Sequence, residues 1–202
     1  MRIVRALSAR NYRAALPWCN NKKHASRFLI TDFLYGFVIV AIITRFVTLG
    51  ISKRNEARLR AAGATEHDTA TTKLLTIAHI GFYLACFAEG FYRAAPIDTV
   101  TYVGIGLWAF SIVMLFGVIA TLRDLWTIKL YIAPHHEIRT SILYKICKHP
   151  NYFLNIAPEM LGFGLALQAW GTLIVGLPIY AAILWRRIRA EETAMKATFP
   201  TY

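Results

Sequence analysis

Lys148-His149-Pro150-Asn151-Tyr152, a long apolar run, and then Arg187-Ile188-Arg189-Ala190-Glu191-Glu192 form the stretch on which the fold turns. Between Tyr152 and Trp185 the run holds one charged residue, Glu159. As a single helix it would be roughly 50 Å long, against a hydrocarbon core of about 30 Å. It must therefore fold back on itself, and the natural break is Gln168-Ala169-Trp170-Gly171. A hairpin of two membrane helices returns its end to the side where it began. That closure brings Arg187 and Glu191 near His149 and Tyr152.

The rest of the chain is also that of a membrane protein. Hydrophobic residues make up 56% of it, and the formal net charge is +12. Three more apolar spans are read at Phe28–Gly50, Leu74–Tyr92 and Thr99–Leu122, so the expectation is an all-α integral membrane protein with about five transmembrane helices. The polar connection from Ser52 to Lys73 reads as a short surface helix ended at Gly63. Five spans put the termini on opposite sides. The basic segments 51–73, 123–149 and 186–196 share one side, cytoplasmic or matrix by the preference for positive loops there. The basic residues do not gather on a soluble module with interleaved aromatics, so no nucleic-acid partner is expected.

Residues 1–27 form a basic N-terminal arm ahead of a single membrane domain, 28–202. The first 31 residues hold seven Lys and Arg and no acid. Such a start resembles an organellar targeting segment, which would suit a mitochondrial inner membrane. It equally suits an arm lying on anionic lipid or on a partner protein, and both readings stay open. Cys19, Cys86 and Cys147 have no metal or disulfide spacing and read as free thiols.

Taken singly, the polar residues have ordinary readings. Arg187 and Glu191 are four apart on one helix face and make an interfacial ion pair. His135-His136 lacks the further ligands of a metal site. His79, inside a span, is a hydrogen-bonded packing residue, and Glu89 is a buried partner for Arg45 or Arg93. Gly104-Ile105-Gly106-Leu107-Trp108-Ala109 matches a dinucleotide fingerprint, but its glycines sit mid-helix, where small residues serve helix packing.

Together, His-Pro-Asn-Tyr before an apolar hairpin and Arg-Ile-x-x-Glu-Glu after it resemble the isoprenylcysteine carboxyl methyltransferase family, whose members are integral-membrane enzymes that use S-adenosylmethionine. The likeness is closest to a bacterial branch associated with O-methylation of alkylpyrones. That branch has a similar Ser-x-x-Asn-Glu…Gly-Ala-x-Glu connection (Ser52, Asn55, Glu56, Gly63, Ala64, Glu66), a Trp-x-x-Lys pattern (Trp126, Lys129) and a glutamate matching Glu159.

The resemblance implies a cofactor site at the membrane surface, built by His136, Glu137, Ile138, Arg139, Tyr144, His149, Pro150, Asn151, Tyr152 and Glu191, with Lys129 as a further contact. Arg187 matches the family's substrate-orienting arginine, and Arg187 and Glu191 are the implied catalytic pair. The implied acceptor is a lipophilic small molecule or a prenylated one, methylated on a carboxylate or hydroxyl among the membrane lipids. Apolar residues such as Phe153, Met160, Phe163 and Leu167 are expected to wall its pocket. No glycine stands shortly before Tyr144, so the loop there is expected to differ from the family's. An alternative keeps the fold and makes the chain a non-catalytic subunit of a larger membrane complex.

Overall fold

The computed structural model describes residues 17–132 and 142–198, with side chains described from Asp32 onward except those of Ile132, Ile142 and Thr198. Residues 1–16 of the basic arm lie outside it. So do His136, Glu137, Ile138 and Arg139.

Helix α1 runs from Pro17 to Ala61, α2 from Thr69 to Arg93, and α3 from Thr99 to Leu122. A wide π-turn, Asn151–Ile156, leads into α5, Ala157–Ala166, and α6 spans Trp170–Thr198. The short α4 covers Ile142–Ile146. Among the described residues four helical stretches are long and apolar enough to cross a membrane: Asp32–Ala61, Thr69–Arg93, Thr99–Leu125 and Trp170–Ala197. Only 17–28% of their most apolar windows is buried inside the molecule. Ile43, Phe46, Ile77, Val113 and Ile174 face outward. So much exposed apolar surface calls for lipid around it. The chain is an all-α integral membrane protein.

The expected hairpin is present, though its first leg is short. The π-turn and α5 together extend roughly 24 Å at helical rise, less than the about 30 Å of a hydrocarbon core. Pro158 explains the wide turn. It cannot donate to the ladder, and its ring crowds the carbonyl four residues earlier, so the backbone preceding it loosens. The reversal comes where polarity interrupts the apolar run. Gln168 adopts a left-handed backbone, φ 51°. Its side-chain amide donates to the Pro96 carbonyl at 2.8 Å, Thr101 Oγ1 at 3.0 Å and Asp98 Oδ1 at 3.2 Å. Next to it Glu89 accepts from the Gly171 and Thr172 amides, both at 2.8 Å, and so caps α6. Of the two partners expected for it, Arg93 acts on it through its charge, while Arg45 pairs with Glu159 instead.

Two glycines set the packing at the centre. A Cβ on Gly104 would lie 2.2 Å from the Ala166 nitrogen, and one on Gly162 would lie 2.5 Å from the Trp108 nitrogen. The first half of the rejected dinucleotide pattern is therefore where α3 meets α5. Phe37, Trp108, Met160 and Phe163 fill the core beside this crossing. Phe163 stacks on Tyr83 at 3.9 Å between ring centres.

The polar connection is not a separate surface helix. It continues α1 without a break to Ala61, and the chain then turns at Gly63, φ 81°. A small antiparallel ribbon follows, β1 (Thr65–His67) against β2 (Leu130–Ile132), pairing Glu66 with Tyr131. The Ser-x-x-Asn-Glu…Glu residues tie the two polar connections together. Asn55 Nδ2 donates to the carbonyls of Arg123 and Trp126, each at 2.9 Å. Ser52 Oγ accepts from the Ile128 amide at 3.0 Å. Glu66 receives Lys129 Nζ and the Tyr131 hydroxyl, both at 3.0 Å.

Candidate active site

Three helix ends and the ribbon meet where the hairpin closes. Tyr152, buried on the π-turn, donates to Glu191 Oε2 at 2.5 Å and receives Arg187 Nε at 3.4 Å. Arg187 is 3% exposed and also donates from Nη1 to Thr72 Oγ1 at 2.9 Å. His149 lies between the two acids of the tail, with Nε2 3.1 Å from Glu192 Oε1 and Nδ1 3.7 Å from Glu191 Oε1. Lys148 Nζ pairs with Glu192 at 3.0 Å.

The electrostatics follow from these contacts. The Glu191 contact, helped by Glu192, holds the His149 imidazolium above the usual histidine range, and burial opposes it only in part. Burial pushes the Glu66 carboxyl up, but hydrogen bonds from Lys129, Tyr131 and Thr69 together bring it below the usual range. The Glu66 bond in turn raises Lys129.

A cavity of about 630 Å³ lies against this cluster. Its lining includes Lys129, Tyr144, His149, Pro150, Asn151, Tyr152, Arg187 and Glu191. Trp126, Thr72 and Met195 complete the wall at this level. Trp126 is 4% exposed, and its buried Nε1 has no protein partner among the described residues. The segment 136–139 precedes α4 but lies outside the described residues.

One expectation needs correction. Phe153, Met160, Phe163 and Leu167 do not line the cavity: the last three are core, and Phe153 is 52% exposed on the outside. The π-turn presents Tyr152, Asn155 and Ile156 to the cavity instead. At the helix start the amides of Tyr152 and Phe153 both donate to the His149 carbonyl and so are already taken.

Thr72 and Asn155 were missed. Thr72 sits in Thr69-Ala70-Thr71-Thr72, which carries no mark beyond polarity. Glu192 stood inside the tail motif without a role, yet it holds His149.

A largely apolar cavity with a charged cluster, at the end of the hairpin opposite its turn, is the candidate site of an integral-membrane protein. The chain belongs to the isoprenylcysteine carboxyl methyltransferase (ICMT) family, whose model matches residues 104–197. An uncharacterized protein of Haemophilus influenzae is 46% identical over 156 residues, 77% of this chain and 91% of that one. The uncharacterized protein YpbQ of Bacillus subtilis is 27% identical over 160 residues, 79% of this chain and 94% of that one. No solved structure matches. The family is one of membrane methyltransferases.

Proposed function

We propose that the protein transfers a methyl group from S-adenosylmethionine to a carboxylate or hydroxyl of a lipophilic acceptor, a small molecule or a prenylated one, held in the membrane. The observation that carries this reading is the convergence of Arg187, Glu191, Tyr152 and His149 on one cavity. Its volume, about 630 Å³, falls inside the range of cofactor and ligand pockets, roughly 300–1,000 Å³.

The residues present fit the cofactor. It carries a sulfonium, an ammonium and a carboxylate, and it supplies an electrophilic methyl group. Glu191 suits the cationic part, while His149 and Lys129 suit the carboxylate. Trp126 and Tyr144 offer aromatic walls, and the unpaired Trp126 Nε1 is a buried donor in want of an acceptor. Pro150 and Asn151 extend the same wall, and His136, Glu137, Ile138 and Arg139, outside the described residues, are further cofactor contacts in this proposal on the family resemblance alone.

The protein's part in an in-line displacement is to position the reactants and exclude water. Arg187 holds the acceptor oxygen. A carboxylate then needs no general base. A hydroxyl must lose its proton, which Arg187 favours electrostatically and the Glu191 carboxylate can accept; His149, as an imidazolium between its two acids, is the cation here and not the base.

The basic connections gather at the site end, which by the charge preference of membrane loops puts the site on the cytoplasmic or matrix side. The test is methyl transfer from labelled cofactor into a lipid extract by the purified protein. Arg187→Ala and Glu191→Ala should each lower it at least about 100-fold, the effect of losing one group that stabilises the transition state. Undiminished transfer in both variants would contradict the assignment. Absence of transfer, with co-purification in a large complex, would instead make the chain a subunit.

A further inference from the structure

The cavity has a second polar level below the one described. On α2, Thr72 meets Arg187 and His79 meets Tyr180, the last pair 3.0 Å apart from Nδ1 to the hydroxyl. Both steps, Thr72 to His79 and Tyr180 to Arg187, span seven residues, about 10 Å of helix. Arg45 of α1 reaches this lower level and forms an ion pair with Glu159, which is fully buried and also receives the Tyr83 hydroxyl. Arg45, His79, Asn155 and Tyr180 all line the cavity.

The opposite charges of Arg45 and Glu159 cancel, so the level does not call for a second anion. It does call for a hydrogen-bonding group. Arg45 Nε, His79 Nε2 and Asn155 Oδ1 are buried without a hydrogen bond among the described residues, His79 Nε2 standing 3.9 Å from Glu159 Oε1. Asn155 is 1% exposed, whereas Arg45 keeps 29% of its side-chain surface open. A node serving only to tie α1 to α5 would be expected to satisfy itself, because an unpaired polar group is costly in a low dielectric.

We propose that this level binds a hydroxyl of the acceptor, which can accept from Arg45 and donate to Asn155 Oδ1, placed about 10 Å from the oxygen that takes the methyl group. The acceptor is then an apolar molecule with two oxygen functions, and Arg45 determines which acceptors fit. The inference rests on the methyl-transfer reading.

Calorimetric titration of the detergent-purified full chain separates the two. S-adenosylhomocysteine is titrated first. Its failure to bind the wild type overturns the methyl-transfer reading and this inference with it. With that ligand bound, decanoic acid and 10-hydroxydecanoic acid are compared on the wild type and on the double variant R45M/E159M, which removes both charges together. Comparing proteins cancels the different partitioning of the two probes into detergent. The hydroxy acid should be favoured about tenfold more by the wild type than by the variant, with S-adenosylhomocysteine affinity unchanged. An equal preference in the two proteins overturns the inference. R45M/E159Q, which keeps the shape of the fully buried Glu159 while removing the donor at 45, replaces the first variant if that one loses S-adenosylhomocysteine binding, and the same two outcomes apply to it.

Discussion

His149 shows how one residue links the site's charge to its stability. Its imidazolium is raised by the Glu191 and Glu192 carboxylates, so the bonus to the folded state is full below about pH 6.5 and is lost as pH rises through the raised value. The melting temperature should therefore fall from near pH 6.5 upward more steeply in the wild type than in His149→Gln. Equal slopes would mean the contact does not couple to folding. The Lys-His-Pro-Asn-Tyr stretch made this residue conspicuous in the sequence. Its two carboxylate neighbours were visible only as a motif more than forty residues away. The role of Thr72 had no sequence mark at all, because a threonine hydroxyl that binds a guanidinium looks like any other.

At the scale of elements, the hairpin was legible because length alone forbids a single crossing. Its break was legible because Gln168 and Gly171 interrupt an apolar run. The ribbon was not legible. Three-residue strands carry no periodicity, and their pairing joins segments more than sixty residues apart. The long α1 was cut short for a related reason: a helix that leaves the membrane keeps its backbone bonds while its composition turns polar. Asn55 is the peg that holds the second polar connection to α1. Asn55→Ala leaves two carbonyls without their donor and should cost about 1–3 kcal/mol. Thermal unfolding should show a melting temperature lower by roughly 3–10 °C. A shift under a degree would show that the connection is held elsewhere.

For the whole molecule, the contacts give a direction to every helix. Asn55, Thr72, Trp126, Tyr152 and Glu191 mark one end, while Glu89, Asp98, Gln168 and Thr172 mark the other. Single cysteines at Thr69 and Lys196, in a background without the native cysteines, should react with an impermeant maleimide from the same side, and one at Ile97 from the opposite side. Labelling of Thr69→Cys and Lys196→Cys from opposite sides would break the topology.

The central claim is that the end of the hairpin opposite its turn holds a nucleoside cofactor beside Glu191. Equilibrium binding of labelled S-adenosylmethionine to the purified protein tests it most directly. The account predicts one saturable site, weakened at least about tenfold in Glu191→Ala, a loss of about 1.4 kcal/mol, and unchanged in Ile179→Ala on the lipid-facing side of α6. No saturable binding, or equal binding in the wild type and Glu191→Ala, would contradict it.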